Sequence, residues 1–334
     1  MLGLGFVLGS MKILYVGNFT EIDSPLGYCP NAEWISDTFE ELGHKVIRVN
    51  ERNSSAYDVL KELRGADLLL TEEGRLDGDF SNDGSHDIIV GKFARVMDRA
   101  KALGIPTVPW LTNIFWGIMR REIQIQTNPI FKADIVFSTD GGHDKEFKDA
   151  GVNHKLLRQG IYGPEAYIGT PTYNTRAKVG FIGSIYEEIW PYRAKMVTFL
   201  KSVYGENFGH FGARGEIRHD ELNNLIATLK IVVGDTVYSP NYWSNRIYEM
   251  LGRGAFLIHP MVPGLEEEFI PYKHFIPFNF GDLEGLKDKI DYYLAHDEER
   301  HKIQMAGFEY CKEHHTYEKR VKKLLQTLNE EGII

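Results

Sequence analysis

The architecture can be worked out from one segment, Gly234-Asp-Thr-Val-Tyr-Ser-Pro-Asn-Tyr-Trp-Ser-Asn-Arg-Ile-Tyr-Glu-Met-Leu-Gly-Arg-Gly-Ala-Phe-Leu-Ile-His-Pro260. It follows the apolar run 231–233, which predicts a strand. A polar loop comes next, then a predicted helix over 243–251 that opens near Ser244, then a second apolar run over 255–258. The order strand, loop, helix, strand is typical of a parallel sheet with helical crossovers.

The same alternation extends in both directions from this segment. Toward the C-terminus, residues 283–329 are helical and charged. Toward the N-terminus of this half, the pattern predicts strands at 179–182 and 208–211 and helices at 193–204 and 220–229. The first half predicts six strands, at 12–16, 45–49, 67–70, 106–111, 135–138 and 155–159, and helices at 31–42, 56–64 and 88–103.

Two doubly wound, Rossmann-like α/β domains facing a cleft follow from this pattern. Residues 163–178 contain Gly163-Pro164, Gly169 and Pro171 without periodicity, and they predict a linker. The domains are therefore expected at 11–162 and 179–310. Residues 311–334 are expected to form a closing helix that packs back across the first domain.

The composition excludes a disordered, a collagenous and a disulfide-stapled protein. The 334 residues are 43% hydrophobic and 25% charged, which is ordinary for a globular chain. Two cysteines, Cys29 and Cys311, give no disulfide framework and suit a reducing cytoplasm. No window predicts a membrane span. Residues 1–10 are predicted to be a disordered leader, from an upstream start codon or added artificially, because Met11 resembles a natural start; a signal peptide is the alternative.

Arg246 and Glu249 lie on one side of the predicted helix, together with Asn245. The N–H groups at a helix start favour an anion, so Arg246, Ser244 and Asn245 could bind a diphosphate, and Glu249 could accept hydrogen bonds from ribose hydroxyls. The alternatives are that Arg246 points to solvent or pairs with a carboxylate, and that Glu249 simply pairs with Arg253.

Glycine-rich turns after two strands are weaker candidates. Gly183-Ser184 could let backbone N–H groups approach a phosphate, or could be only a tight turn. Arg214, in Phe211-Gly-Ala-Arg-Gly-Glu-Ile217, follows the next strand and is a further candidate for ligand binding, although its glycines also fit an ordinary turn.

In the first domain, Ser138-Thr-Asp-Gly-Gly-His-Asp144 follows a strand and opens a helix. His143 and Asp140 are therefore candidate catalytic residues, because an imidazole suits acid–base or phosphate-contact work. A helix-capping role is the alternative for Asp140. Asn18, Asp23, Gly27 and Tyr28 follow the first strand and are similarly placed to contact a ligand.

Asp77-Gly78-Asp79 has the Asp-x-Asp spacing that can hold Mg²⁺ or Mn²⁺ at a diphosphate. Because such sites belong to a different, single-sheet architecture, no metal and no cofactor are expected here.

The run 243–258 resembles the donor-binding segment of GT-B glycosyltransferases of group 1 (GT4-like), and most closely the spore-maturation CgeB-like branch. Pro263-Gly-Leu-Glu-Glu-Glu-Phe269 and His314-His-Thr-Tyr-Glu-Lys-Arg320 extend the resemblance. It implies that Glu249 holds the ribose of a nucleotide sugar and that the loop with Arg214 lies near the nucleobase. The acceptor of the sugar is then expected at Asn18, Asp23, Gly27 and Tyr28. The wider group carries a second glutamate eight residues earlier, which contacts the transferred sugar, and this chain has Asn241 there.

The sequence thus predicts a cytoplasmic, metal-independent hexosyl- or pentosyltransferase that takes a sugar from a nucleotide-diphosphate sugar. The acceptor stays open between a saccharide, a lipid-linked sugar, a protein and modified DNA, although the net charge of −9 disfavours DNA. A two-domain binding protein without catalysis is the alternative. An NAD-dependent oxidoreductase is a third, less favoured because no Gly-x-Gly-x-x-Gly follows either first strand.

Overall fold

The structure is a computed structural model that describes residues 9–19, 30–72, 86–188, 190–212 and 215–334. The chain divides into two compact units. The first runs to Arg158 and also contains Tyr317–Ile334, and the second contains Gln159–Thr316.

In the first unit, the described residues form a parallel sheet of six strands in the order β2-β1-β3-β4-β5-β6. The strands are β1 (Lys12–Gly17), β2 (Lys45–Asn50), β3 (Leu68–Thr71), β4 (Thr107–Leu111), β5 (Val136–Ser138) and β6 (His154–Leu156). The helices are α1 (Asn31–Glu41), α2 (Ala56–Leu63), α3 (His86–Ala102), α4 (Met119–Thr127), α5 (Asp144–Asp149) and α12 (Tyr317–Glu330). Buried apolar residues of β1, β3 and β4 form the centre of the core, as the unbroken apolar runs predict for strands covered on both faces.

The last helix joins the first unit through its opening residues. Tyr317 donates a hydrogen bond from Oη to Asn31 Oδ1 at 3.0 Å, and its ring lies 6.0 Å from the rings of Trp34 and Trp110. The buried positions Val321, Leu324 and Leu328 follow at helical spacing. One apolar face therefore packs α12 into this unit.

In the second unit, the described residues form a five-stranded parallel sheet in the order β11-β10-β9-β7-β8. Its strands are β7 (Val179–Ile182), β8 (Phe208–Phe211), β9 (Ile231–Val233), β10 (Leu257–Met261) and β11 (Ile276–Asn279). Its helices are α6 (Pro191–Tyr204), α7 (His219–Thr228), α8 (Arg246–Gly252), α9 (Leu265–Glu268), α10 (Leu283–Ala295) and α11 (Asp297–His314). Two apolar clusters form its core.

The segment predicted to be a linker packs inside the second unit. Asn223 in α7 is fully buried and donates from Nδ2 to the carbonyls of Glu165 and Tyr167, at 3.0 and 2.9 Å. Thr170 donates its N–H to Asn224 at 2.8 Å. These side-chain amides satisfy the irregular backbone, which explains how a Gly- and Pro-rich stretch without periodicity is held in place.

No described helix has both the length and the apolar character that a membrane crossing needs.

Candidate functional site

The strand order of the second unit defines where a ligand is expected. From β7 the chain moves to β8 on one side, and then returns to β9 on the other side of β7. Ligands of such sheets bind outside the carboxyl ends of the strands at this reversal. β7 ends at Ile182 and is followed by Gly183, while β9 ends at Val233 and is followed by Gly234 and Asp235.

Three charged side chains meet at this reversal. Asp235 is buried, and its Oδ2 accepts a hydrogen bond from Arg193 Nε at 2.6 Å. Its other oxygen, Oδ1, is paired with Nη1 of Arg246. Arg193 comes from the first turn of α6, and Arg246 is the first residue of α8. We call this group the cationic triad, because two guanidinium groups share one carboxylate and leave a net charge of +1.

Arg246 is held by the end of β7. Its Nε donates to the carbonyl of Ile182 at 3.2 Å, and its guanidinium lies 4.9 Å from the centre of the Phe181 ring. The position of Gly183 leaves room for it: a Cβ there would lie 2.5 Å from Arg246 Nη2, and φ is +130°. The Arg246 side chain keeps 15% of its surface exposed.

Arg193 is held in a similar way on the other side of Asp235. Its Nη1 donates to the carbonyl of Ser184 at 2.8 Å, and its guanidinium lies 4.2 Å from the Trp190 ring centre. Burial and the neighbouring Arg246 lower the pKa of Arg193. Both guanidinium groups are therefore fixed in orientation before any ligand arrives, which reduces the entropy lost on binding.

The charges of the triad follow from its surroundings. Burial opposes ionisation of Asp235, but Arg246 and Arg193 hold its pKa below the ordinary value. Burial lowers the pKa of the nearby His259 to about 4, so this imidazole is neutral at pH 7. Its Nε2 is buried and makes no hydrogen bond to any described residue. One net positive charge thus remains in a site largely shielded from water, where an anion is bound more strongly than at the surface.

The helix after the loop begins later than predicted, at Arg246 rather than near Ser244. Ser244 is held in the loop because its Oγ donates to the carbonyl of Asp235 at 3.1 Å and its N–H donates to Thr236 Oγ1 at 3.2 Å. Asn245 caps the helix without a side-chain capping bond. With only seven residues in α8, any anion at this point depends mainly on the guanidinium groups.

Glu249 lies one turn into α8 and is half-buried. Its Oε1 accepts from Asn245 Nδ2 at 2.7 Å, and burial raises the pKa of its carboxyl. The pair with Arg253 that spacing allowed is not the contact made. Arg253 is buried and pairs instead with Glu165 and Asn223, and Glu249 makes its hydrogen bond with Asn245.

Asn241 has a left-handed backbone conformation, with φ of +57°. Its N–H donates to the carbonyl of Pro263 at 2.8 Å. A Cβ on Gly264 would lie 2.3 Å from its Oδ1, so the side chain lies directly against the Pro263-Gly264 turn.

The backbone N–H of Gly183, a candidate phosphate donor, is already used. It donates to the carbonyl of Phe211 at 2.9 Å, and the carbonyl of Gly183 lies 2.6 Å from His210 Nε2. Gly183 therefore serves the β7–β8 edge and makes space for Arg246.

In the first unit, Asp140 has a structural role. It is buried and accepts hydrogen bonds from the N–H groups of Phe115 and Trp116, at 2.9 and 3.1 Å. Burial raises the pKa of its carboxyl despite these bonds. A carboxylate engaged in this way holds the turn after β4, which supports the structural alternative for Asp140.

His143 remains a candidate. Its ring stacks on Trp116 with centroids 5.5 Å apart, and Nδ1 makes no hydrogen bond within the described residues. Asn18 is the described member of the predicted acceptor set. Its N–H donates to Glu72 Oε2 at 3.2 Å, while its Oδ1 is buried and has no described partner.

Six residues singled out in the sequence lie outside the described residues, namely Asp23, Gly27, Tyr28, Asp77, Asp79 and Arg214. Residues 1–8 of the predicted leader do so as well. Among the residues that are described, no three His, Cys, Asp or Glu side chains are grouped so as to hold a metal ion.

Sequence reasoning missed Arg193, Asp235 and His259. Asp235 and Arg193 each carried a signal, because one directly follows a strand end and the other lies in a first helical turn after Pro191. Their pairing depends on tertiary structure and has no local signal.

Residues 188–326 match the profile of a family described as glycosyl transferase-like. No curated protein sequence matches the chain.

Solved structures match nearly the whole chain at low identity. HepE of Anabaena in complex with UDP-glucose is 13% identical, covers 96% of this chain and 100% of its own, and has a TM-score of 0.66. Sucrose-phosphate synthase of Thermosynechococcus elongatus is 11% identical, covers 96% and 98%, and has a TM-score of 0.67. An α-glucosyltransferase in complex with UDP and a 13-mer DNA is 11% identical, covers 96% and 100%, and has a TM-score of 0.62. The narrower resemblance to the CgeB-like branch stays a prediction. These matches show that the chain has the α/β fold of GT-B glycosyltransferases.

Proposed function

We propose that the protein is a glycosyltransferase whose donor is a nucleoside diphosphate sugar. The observation that carries this proposal is the cationic triad of Arg193, Asp235 and Arg246 at the strand reversal of the second unit. A diphosphate carries the opposite charge, and guanidinium groups bind phosphate oxygens through paired N–H donors. Glu249 lies three residues after Arg246, and we assign its carboxylate as the group that accepts hydrogen bonds from the ribose hydroxyls.

UDP is the first nucleotide to test, because two of the three solved structures named above contain UDP or UDP-glucose. The proposed reaction joins the oxygen of an acceptor hydroxyl to the anomeric carbon of the sugar and breaks the bond from that carbon to the diphosphate. The hydroxyl proton leaves to a base, for which His143 is our candidate in the first unit. The bond electrons go to the diphosphate, where Arg246 and Arg193 stabilise the added negative charge.

Metal independence is part of this proposal, since fixed guanidinium groups can take the place of a cation at the leaving group. A modified base in DNA is the less favoured acceptor. The chain carries a net charge of −9, and Arg121, from the basic pair Arg120-Arg121 of the first unit, donates from Nη1 to the carbonyl of Ile114 at 2.8 Å.

Thermal unfolding with UDP, dTDP, GDP, ADP and NAD, each added separately, tests the proposal. A ligand at about 100 times its Kd adds ~2.7 kcal/mol to the free energy of unfolding. In a domain of roughly 150–250 residues, that raises Tm by about 5–10 °C. We expect this rise with one nucleoside diphosphate, its loss in Arg246→Ala, and its retention in the control Arg176→Ala, because Arg176 is exposed.

The largest shift with NAD would favour an oxidoreductase instead. A shift with one nucleoside diphosphate, but no release of that diphosphate from its sugar conjugates with any acceptor, would favour a binding protein without catalysis. No shift with any of the five would contradict the proposal.

A further inference from the structure

A second cavity lies in the same unit, beyond the carboxyl ends of β10 and β11. Its volume is about 520 Å³, and its lining includes Tyr238, Met261, Pro263, Glu266 and Phe280. Small-molecule sites typically fall within ~300–1,000 Å³.

Two aromatic side chains line the cavity, Tyr238 and Phe280, and Tyr192 supports Phe280 from behind. Phe280 stacks on Tyr192 with ring centroids 4.2 Å apart and planes 29° apart, and the Tyr238 ring lies 5.2 Å from Phe280. Tyr192 Oη accepts the N–H of Gly281 at 3.2 Å, which fixes the stack. Tyr238 nevertheless leaves 53% of its surface exposed. A rigid and partly exposed aromatic surface loses little entropy when it binds a flat apolar face.

The lining also contains side-chain oxygen acceptors. Glu266 accepts the N–H of Gly264 at 3.0 Å through Oε2, which holds its carboxylate in place. Asn279, the last residue of β11, adds an exposed amide. A pyranose ring matches this combination, because it has an apolar C–H face for an aromatic ring and a rim of hydroxyls for carboxylate and amide groups.

The charge of the cavity and its position beside the loop between Asp235 and Arg246 narrow the chemical class of the ligand further. Glu266 begins the acidic run Glu266-Glu267-Glu268, so the cavity disfavours phosphorylated or other anionic ligands. The cavity also adjoins the loop that joins Asp235 to Arg246, since the N–H of Asn241 in that loop donates to the Pro263 carbonyl.

We propose that this cavity binds a neutral sugar ring of the acceptor, and hence that the acceptor is a saccharide. The role as acceptor subsite rests on the proposed function, whereas the binding of the sugar can be measured alone.

Saturation-transfer NMR with cellobiose, maltose and chitobiose, each at roughly 10 mM and without nucleotide, tests the inference. We expect transfer to at least one of them. Tyr238→Ala should weaken that binding about fivefold to tenfold, whereas Tyr238→Phe should stay within about threefold of the wild type, since the stacking ring is kept. The control is Tyr292→Ala, which removes a comparably exposed tyrosine in α10, outside the cavity lining.

Absence of transfer to all three disaccharides would overturn the inference, and so would equal weakening by Tyr238→Ala and Tyr292→Ala. Nucleotide binding is read separately on the same variants. Disaccharide binding without nucleotide binding would remove the proposed function and keep the sugar site, whereas the reverse result would remove only the sugar site.

Discussion

Replacing Arg246 by alanine should affect stability and turnover separately. Asp235 is buried and has two arginine partners, so the variant keeps the bond from Arg193 and loses the one from Arg246. A hydrogen bond to a charged group contributes ~1.5–3 kcal/mol. Since 1 kcal/mol corresponds to about 2–4 °C in a domain of this size, we expect Tm to fall by roughly 3–12 °C.

The effect on catalysis should exceed the effect on donor binding. Negative charge grows on the diphosphate as the bond to the sugar breaks, so the contribution of Arg246 is larger in the transition state than in the ground state. Loss of one fixed donor of this kind costs about 100- to 1,000-fold in kcat. Arg246→Lys should recover only part, because an ammonium group cannot make the paired contact of a guanidinium.

The assay measures turnover, donor affinity and Tm on the same preparations of wild type, Arg246→Ala, Arg246→Lys and the control Arg176→Ala. Turnover is followed as release of the nucleoside diphosphate, and affinity by calorimetry. Full turnover in Arg246→Ala would refute the reasoning. An unchanged or raised Tm in that variant would show that the pair with Asp235 does not stabilise the fold.

Three further predictions concern Glu249, metal ions and His259. Glu249→Gln should weaken donor binding by ~1.5–3 kcal/mol with Tm unchanged. Because the pKa of Glu249 is raised, the donor affinity of the wild type should also fall on acidification. Calorimetry that finds neither effect would remove Glu249 from the site. Activity should survive EDTA, whereas complete loss restored by Mn²⁺ would implicate Asp77 and Asp79. Folding lowers the pKa of His259 to about 4, so between pH 6.5 and 4 the unfolded chain binds one more proton than the folded chain, and the free energy of unfolding falls by up to ~3 kcal/mol. His259→Asn should therefore lessen the fall of Tm at acid pH. An equal pH dependence of Tm in both proteins would count against this role of His259.

The strand and helix order could be predicted because each buried strand is a short apolar run. β7, β8 and β9 have the predicted bounds. β11 was missed because Ile276-Pro-Phe-Asn279 is short and contains a proline, which reduces strand propensity. The start of α8 was placed too early because Ser244 is held in the loop by Asp235 and Thr236, contacts that no local pattern encodes.

The site was predictable where one helix carries it and not where distant segments meet. Arg246 and Glu249 share a helical side, and their spacing was enough to single them out. The partners that set their properties, Asp235 and Arg193, come from other elements. The partners of Asp140 were unpredictable for a related reason, because the backbone groups that it binds belong to the turn after β4.

The central claim is that the cationic triad recognises a diphosphate, and calorimetry of the wild-type protein tests it most directly. The nucleoside diphosphate that raises Tm is compared with its own nucleoside at low salt. Two charge-assisted contacts predict that the diphosphate binds at least about 100-fold more tightly, with most of that difference lost in Arg246→Ala. Equal affinity for the nucleoside and the nucleoside diphosphate would contradict the account.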